Sequence, residues 1–420
     1  MIELGAQAGY QNVRISQVST RAKVSTATFY EQFQDKEDCL LATYAVVAER
    51  VFNQLGDIAD GGDWFAAARG TLEPLLAALS TDPDAGRLLF IEGMSGGRRM
   101  RDRRRQVIGE FERRVQGFLD SPPKDGNTLD LPATAVMGAL RNIVSNHLRS
   151  HTEDRLASLI DDGLAWVTSY AIPVAHSRWS TGPLAILPHT PELGPRPSTR
   201  MPTPLPRGRH ALPAEAVARS QRERILYGTA EVMMTKGYAA ATVADIVARA
   251  RISREVFYEH FSDKQHAFLE AQQYPTQYVL DACARAYFSA SEWPERIWNG
   301  LKMLLHLIAT NPAISHLRLV ECYAAGPLAV RRAEEITRSF TFFLEEGYAH
   351  RPEARQLPRL CTEAIVGAIF ELIQRHVAHE QIGGLSRRLP QIAYIAIAPF
   401  TGPSNAIDLL ERLSSGLATA

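Results

Sequence analysis

The chain has 420 residues, of which 45% are hydrophobic and 22% are charged, and its 46 basic residues balance its 46 acidic residues. This length exceeds what one hydrophobic core usually serves, so we expect two or more domains in a soluble globular protein. The formal net charge of +0 excludes attraction to polyanions by the molecule as a whole. Any contact with nucleic acid must therefore use local patches.

The sequence also disfavours several other classes of protein. Its longest apolar stretches, such as residues 392–400, are far shorter than the roughly 20 residues that cross a bilayer, and residues 1–11 lack the pattern of an export signal. We therefore expect a cytoplasmic protein with no membrane partner. Because the four cysteines have neither C-x-x-C spacing nor neighbouring ligand clusters, we expect no metal site, no disulfide framework and no cofactor.

An internal repeat organises the chain. Residues 9–41 align without a gap on residues 237–269, and the match continues with one inserted residue. The later matched pairs are Trp64 and Trp293, Pro83 and Pro312, Glu92 and Glu321, Gly138 and Gly367, and His147 and His376. A whole unit was therefore duplicated.

The repeat predicts an all-α chain of two tandem units, each with an N-terminal helix-turn-helix head of three helices and a C-terminal helical regulatory domain. Proline-rich sequence between the copies predicts an extended linker. The predicted domains are residues 1–58 (first head, with a truncated first helix), 59–172 (first regulatory domain), 173–213 (linker), 214–274 (second head) and 275–420 (second regulatory domain).

The second head shows its elements most clearly. Apolar spacing predicts a helix over residues 214–236, and Gly237 is typical of a helix end. Phe257 and Phe261 lie four residues apart, so both rings should anchor the third helix in the core. The predicted N-caps of the next three helices are Thr242, Ser253 and Asp263. Two short helices joined by a tight turn are typical of a DNA-reading helix-turn-helix.

Both copies carry G-Y followed by A-x-V/I-S-x-x-x-F-Y-x-x-F-x-D-K. This pattern resembles the N-terminal domain of the tetracycline-repressor (TetR) family of bacterial regulators. The resemblance implies a head that binds double-stranded DNA, a helical domain that binds a small-molecule effector, and dimerisation through the last two helices of each unit. The alternative is that F-Y-x-x-F is only a packed aromatic helix face, which two copies with matching caps disfavour.

The resemblance also assigns roles to matching residues. The positions that reach base edges are Thr26, Ala27 and Thr28 in the first head and Arg254, Glu255 and Val256 in the second. The positions that contact phosphates are Tyr30, Lys36, Thr242, Tyr258 and Lys264. Because the two base-contacting triplets differ completely, the two heads should read different sequences.

The first head departs from the pattern. Its first helix is short, and Arg14 stands where Thr242 caps the second helix of the other head. Two hypotheses explain this: translation starts upstream of Met1, or the first head is partly degenerate. Together with the acidic Glu255, these departures leave open an alternative function, a ligand-binding or protein-interaction module whose heads have lost DNA binding.

The regulatory halves show helical spacing and no convincing strand. The predicted helices are residues 63–80, 84–119, 132–150 and 153–171, with counterparts of the last two near 361–381 and 386–400. Small residues at Ala135, Gly138 and Ala139, and at Ala364, Gly367 and Ala368, would let two helices approach closely, although ordinary core packing explains them equally well. A pocket would be lined by Trp64, Phe90, Trp293, Trp298, Leu319 and Tyr323, with His147 and His376 as ligand contacts. The alternative is that these residues belong to the core.

Two further motifs have structural interpretations. Residues 93–97 satisfy G-x-S-x-G, but the serine follows a helical run rather than a strand, and its repeat counterpart is Ala324. We therefore expect no catalysis. The arginine run over residues 98–105 could bind phosphate, but the second copy lacks it, so we expect a solvated helix face.

The favoured function is a ligand-responsive repressor in which the two units form an intramolecular pseudo-dimer and read an asymmetric operator. Effector binding would change the spacing of the heads and weaken DNA affinity. The alternative assembly is a homodimer of chains that carries four heads.

Overall fold

The computed structural model describes residues 1–53, 64–120, 127–173, 176, 201–203, 212–379 and 381–418, with the side chains of residues 52, 64, 98, 118 and 416–418 excepted. The helices of the first unit are α1 (Ile2–Ala8), α2 (Ile15–Ala22), α3 (Thr26–Gln32), α4 (Lys36–Phe52), α5 (Trp64–Thr81), α6 (Pro83–Phe90), α7 (Arg98–Asp120), α8 (Ala133–Arg149) and α9 (Ile160–Thr168).

The second unit repeats this order and adds helices. They are α10 (Ala214–Lys236), α11 (Val243–Ala250), α12 (Arg254–His260), α13 (Lys264–Gln273), α14 (Thr276–Tyr287), α15 (Trp293–Thr310), α16 (Pro312–Leu319), α17 (Pro327–Ser339), α18 (Leu360–Ala378), α19 (Leu389–Thr401) and α20 (Pro403–Ala418). The all-α fold of two tandem units is confirmed. The predicted linker falls largely outside the described residues.

The structure corrects two predictions for the first regulatory half. The single helix predicted over residues 84–119 is two helices, α6 and α7, separated by a 3-10 turn at Glu92–Met94. Gly93 and Gly96 allow this turn to pack, because a Cβ atom on Gly93 would lie 2.6 Å from the Tyr44 ring and one on Gly96 would lie 2.2 Å from the Cβ of Met100. Ser95 is buried beside this turn, and the elements before and after it are the helices α6 and α7 rather than a strand and a helix.

Short strands were not predicted, yet β1 (Asn127–Leu129) and β2 (Ala171–Pro173) pair antiparallel. A strand of three residues is too short to show the alternation of apolar and polar residues that predicts a strand. Thr128 faces Ile172 across the pair, and both are buried. This two-stranded pairing connects the residues that precede α8 to those that follow α9.

One hydrophobic core joins the two units. It combines residues of α8 and α9 with residues of α15, α18 and α19. The Tyr170 hydroxyl, which is buried, donates a hydrogen bond to the carbonyl of Ile395 at 2.7 Å. The first unit has its own core as well, while each head has a separate cluster.

Helices α8 and α18 cross at the small residues noted in the sequence. A Cβ atom on Gly138 would lie 2.4 Å from the Cβ of Glu371, and one on Gly367 would lie 2.5 Å from the Cβ of Asn142. Glu371 is the repeat counterpart of Asn142, just as Gly367 is the counterpart of Gly138. The contacts are therefore reciprocal: each glycine meets its own counterpart and the residue four positions beyond it.

A buried ion network borders this crossing. Glu371 is 3% exposed and accepts hydrogen bonds from Arg141 of α8 at 2.8 Å and from Arg375 at 3.0 Å. Although burial raises the pKa of Glu371, the neighbouring arginines, Arg141 foremost and Arg104 next, lower it to about 2. The carboxylate therefore stays ionised, as a buried acid with several cationic neighbours should.

The arginine run at the start of α7 is only partly a solvated face. Arg99, Arg103 and Arg105 are exposed. Arg101, by contrast, pairs with Glu321 of the second unit at 3.4 Å. Burial lowers the pKa of Arg104, and the Glu371 carboxylate of the second unit counteracts this lowering. The prediction of a wholly solvated face was wrong because α7 lies against the second unit, a contact that spacing within one repeat does not reveal.

Where the structure describes the chain, no helix combines the length and apolarity that a membrane span requires. The four cysteines are free and buried.

Candidate nucleic-acid interface

The second head forms a helix-turn-helix from α11 and α12. Thr242 accepts a hydrogen bond from the N–H of Asp245, and Ser253 accepts one from the N–H of Val256 at 3.2 Å, so both predicted N-caps are confirmed. The turn between the helices places Arg251 at φ 52, in the left-handed region that a residue ending a helix often adopts. Arg224 of α10 donates to the carbonyls of this turn, including that of Arg251 at 2.9 Å, and so fixes the angle between the helices.

Helix α12 buries one side and exposes the other. Phe257 and Phe261 are 0% and 1% exposed, which confirms them as anchors. Arg254 and Glu255 are exposed, whereas Val256 is partly buried. Tyr258 is 46% exposed, and the Arg254 guanidinium carbon lies over its ring, 5.6 Å from the ring centroid. The open face therefore offers polar and aromatic groups at the positions predicted to reach DNA.

The first head has the same elements on a thinner core. Ser25 caps α3 by accepting from the N–H of Thr28 at 3.0 Å. Phe29 is buried, but Phe33 is only partly buried, unlike its counterpart Phe261. The described opening helices also differ in length: α1 spans 7 residues and α10 spans 23.

The predicted DNA-facing residues of the first head lie on an accessible surface. Thr26 and Ala27 are exposed, Thr28 is partly buried and Tyr30 is 55% exposed. The Arg14 side chain has no acceptor and cannot cap α2 as Thr242 caps α11. The backbone N–H of Arg14 nevertheless donates to the Gln17 side-chain oxygen at 2.8 Å. Helix α2 therefore begins in the expected place.

The two lysines predicted to contact phosphate are engaged within their own heads. The Lys36 ammonium donates to the carbonyls of Tyr10, Gln11 and Val13 at 3.0–3.1 Å, which occupies all three of its donors. The Lys264 ammonium donates to the carbonyls of Tyr238 and Ala241 at 2.7 and 2.9 Å. Burial lowers the pKa of both lysines. Among the described residues, Lys264 has two acceptors and so retains one N–H donor that could contact a phosphate. Lys36 would have to break one of its hydrogen bonds to a carbonyl before it could contact a phosphate.

Thr242 is the remaining predicted phosphate contact. Its side chain is exposed at the start of α11, where it takes part in the capping box with Asp245. Its hydroxyl lies 2.8 Å from an Asp245 carboxylate oxygen. A phosphate would therefore meet this threonine beside an acidic group.

In each unit, one glutamate of the regulatory half accepts a hydrogen bond from the backbone of the head. Glu92 accepts a hydrogen bond from the N–H of Tyr10 at 2.7 Å, and Glu321 accepts one from the N–H of Tyr238 at 2.6 Å. Glu321 is 1% exposed and lies directly after α16. Sequence analysis paired these glutamates as repeat counterparts without assigning them a role, because only the fold brings them to the heads.

The second regulatory half contains a large, mainly apolar cavity of about 670 Å³. Its walls come from α10, α14, α15, α16 and α17, with Phe370 of α18. Leu319 lines it, as expected from the sequence. None of the other predicted pocket residues with a described side chain does.

Those residues have structural partners instead. Trp293 is buried in the core and donates from its ring N–H to the carbonyl of Phe343 at 3.0 Å. Phe90 packs against the first unit's core, and Tyr323 packs against the second head's core. The assignment of these residues to a ligand pocket stays a prediction, which the packing of their aromatic rings against core residues does not support. The side chain of Trp64 lies outside the described residues.

The two predicted histidine ligands are satisfied locally. The Nδ1 atom of His147 lies 2.8 Å from the Thr152 hydroxyl, and that of His376 lies 2.9 Å from the carbonyl of Leu372. Sequence reasoning missed Arg318, which does line the cavity. The signal was present, because Arg318 stands in an apolar helix where the first copy has Leu89.

Comparison with known proteins agrees with this architecture. The family described as "Bacterial regulatory proteins, tetR family" matches the chain twice, at residues 2–43 and 225–271. The HTH-type transcriptional activator FasR of Mycolicibacterium smegmatis is 23% identical over 155 residues, which cover 37% of this chain. The match spans 59% of the length of that relative.

Solved structures that match part of this chain include two proteins named FadR. The protein from Bacillus halodurans has a TM-score of 0.39 and 16% identity, and the match covers 42% of this chain and 94% of that one. FadR from Bacillus subtilis, solved in complex with stearoyl-CoA, has a TM-score of 0.36 and 14% identity over 42% of this chain and 97% of its own. The two helix-turn-helix heads of this chain therefore both match the N-terminal domain of the tetR family of bacterial regulatory proteins.

Proposed function

We propose that this protein is a sequence-specific DNA-binding regulator of transcription whose two unlike recognition helices read an asymmetric operator. The observation that carries the proposal is the capped helix-turn-helix, present twice, with its base-contacting positions open to solvent. Arg254 and Glu255 occupy these positions in the second head, and Thr26 and Ala27 occupy them in the first. An arginine can donate two hydrogen bonds to guanine and a threonine contacts the thymine methyl, so the two half-sites should differ.

The reciprocal crossing of α8 and α18 supports a pseudo-dimer within one chain. In a two-fold interface, residues at the axis contact their own counterparts. Gly138 and Gly367 have this relation, since a Cβ atom on either would lie within 3.0 Å of the other's carbonyl oxygen. The two heads would then face successive major grooves, with half-sites about one helical turn, or a multiple of it, apart.

The path from cavity to head supports a response to an effector. Helix α16 lines the cavity through Leu319, and two residues later Glu321 holds the Tyr238 N–H of the second head. A ligand that shifted α16 would therefore shift the head. We propose that this shift weakens DNA binding, as in a repressor, since it would disturb the spacing of the two recognition helices.

Fragments selected from the source genome by the purified chain, followed by footprinting, test the proposal. We expect one compact site with two unlike halves. Arg254→Ala should relax base preference in one half and Thr26→Ala in the other, each by about 1–3 kcal/mol. Arg285→Ala, which removes an exposed arginine of α14 outside the heads, is the matched control and should leave the footprint unchanged. A site with two identical halves, or no enriched site, would contradict the proposal.

The direction of regulation needs a separate assay. A reporter gene placed behind the selected site should be transcribed less when the chain is present, and the loss should be reversed by effector. Increased transcription in the presence of the chain would overturn the repressor assignment while leaving the DNA-binding proposal intact.

A further inference from the structure

Arg318 is a partly buried cation in the wall of an apolar cavity, and none of the described residues supplies a counterion. It lies on α16 and lines the cavity beside Leu304, Leu307 and Leu319. Within the described part of the chain, no carboxylate pairs with its guanidinium and no acceptor receives a hydrogen bond from it. Burial lowers its pKa to about 10, so it remains cationic at neutral pH.

The one acidic residue among the cavity-lining residues has another partner. Glu223 of α10 accepts a hydrogen bond from the Tyr274 hydroxyl at 3.1 Å and forms no ion pair with Arg318. Leaving a charge in low-polarity surroundings without a partner is costly. Such a charge is explained if a bound anion supplies the partner.

In the described part of the first unit, the equivalent positions are apolar. The repeat counterparts of Arg318 and Leu319 are Leu89 and Phe90. Leu89 is 6% exposed and belongs to the packed core of the first unit, with Phe90 packed against the same core. The position that holds a cation in one unit is therefore filled by hydrocarbon in the other.

A second, smaller apolar cavity borders the first. It measures about 50 Å³ and shares Leu304, Phe340 and Phe370 with the large cavity. Its other walls include Ile297 and Val366. A ligand with its charge at Arg318 thus has apolar surroundings for the rest of its length, and the large cavity falls within the usual size range of small-molecule sites.

We infer that the second unit alone holds the effector site of this chain, and that the site takes one apolar molecule bearing a single carboxylate or comparable anion, which Arg318 pairs. The inference deepens the proposed ligand-responsive regulator and rests on it for the meaning of the signal. Ligand binding itself can be measured without DNA.

The probes are decanoate and its uncharged match decan-1-ol, titrated into the full chain by calorimetry. We expect decanoate to bind once per chain. Arg318→Leu, which installs the residue of the first unit, should weaken decanoate binding roughly ten- to a hundredfold and leave decan-1-ol binding unchanged, because only the charged hydrogen bond is lost. Arg338→Gln removes an exposed arginine from α17, whose neighbouring residues line the cavity, and should change neither affinity.

Several results would overturn the inference. Equal affinity of decanoate for the wild type and Arg318→Leu would exclude Arg318 as the anchor, provided that the two proteins unfold at the same temperature. Binding of two decanoates per chain would exclude a single site. Absence of decanoate binding by a chain that still gives a footprint would reject this ligand class while leaving the DNA-binding function intact. Conversely, decanoate binding without any footprint would uphold the site and reject the proposed function.

Discussion

Gly138→Ala should destabilise the protein by forcing apart the two helices that join its units. The added methyl group would lie 2.4 Å from the Cβ of Glu371 and 2.8 Å from the carbonyl oxygen of Gly367. Since carbon atoms in contact prefer about 3.5–4.0 Å, α8 and α18 must separate by roughly 1 Å. Overpacking of this kind costs about 1–3 kcal/mol, against which alanine regains about 0.5–1 kcal/mol of helix stability over glycine.

The assay is urea unfolding followed by circular dichroism, with the free energy of unfolding compared between variants. The control is Gly163→Ala in α9, where no atom lies within 4 Å of the added Cβ. This control should raise the free energy of unfolding by about 0.5–1 kcal/mol, because only the backbone entropy term remains. If Gly138→Ala were as stable as Gly163→Ala, the close approach of α8 and α18 would be refuted.

Three further predictions concern the ion network, the recognition helix and the joint to the head. Neighbouring arginines hold the pKa of buried Glu371 at about 2, below its value of about 4.5 in the unfolded chain, so the ionised carboxylate should stabilise the fold by about 3 kcal/mol. We expect this stabilisation to be present above pH 4.5 and to be lost as the pH falls towards 2. Acid unfolding of Glu371→Gln should lack this pH dependence, and a profile identical to that of the wild type would disprove the assignment. Ser253→Ala removes the N-cap of α12 and should cost about 1 kcal/mol and weaken protection of one half-site only, so an unaltered footprint would count against α12 as a reading helix. Glu321→Ala removes the acceptor of the Tyr238 N–H, so decanoate should still bind but no longer alter DNA affinity; a preserved response would place the coupling elsewhere.

The repeat allowed much of the fold to be predicted. Once two copies are aligned, caps such as Ser253 and anchors such as Phe257 reinforce each other, and both are confirmed. Local signals sufficed here because a cap or an apolar helix face depends on residues only a few positions apart. The break between α6 and α7 was missed, since Gly93 packs against Tyr44, a residue remote in sequence.

Contacts between the units were beyond local reasoning. The arginine run looked solvated, yet Arg101 and Arg104 face groups of the second unit. The lining of the cavity also differs from the predicted one, because the prediction favoured aromatic residues such as Trp293, which the fold buries in its core. Comparison of the two copies at Arg318 and Leu89 would have been the better guide, since a charge that replaces a core leucine requires a partner.

The most direct test of the account makes the two recognition helices alike. The triple variant Arg254→Thr, Glu255→Ala, Val256→Thr gives the second head the triplet found at residues 26–28 of the first. Fragment selection with this variant and with the wild type then compares the two preferred sites. We predict an asymmetric site for the wild type and a palindrome, with both halves matching the first head's half-site, for the variant. If both proteins selected the same site, the claim that two unlike heads read one operator would be contradicted.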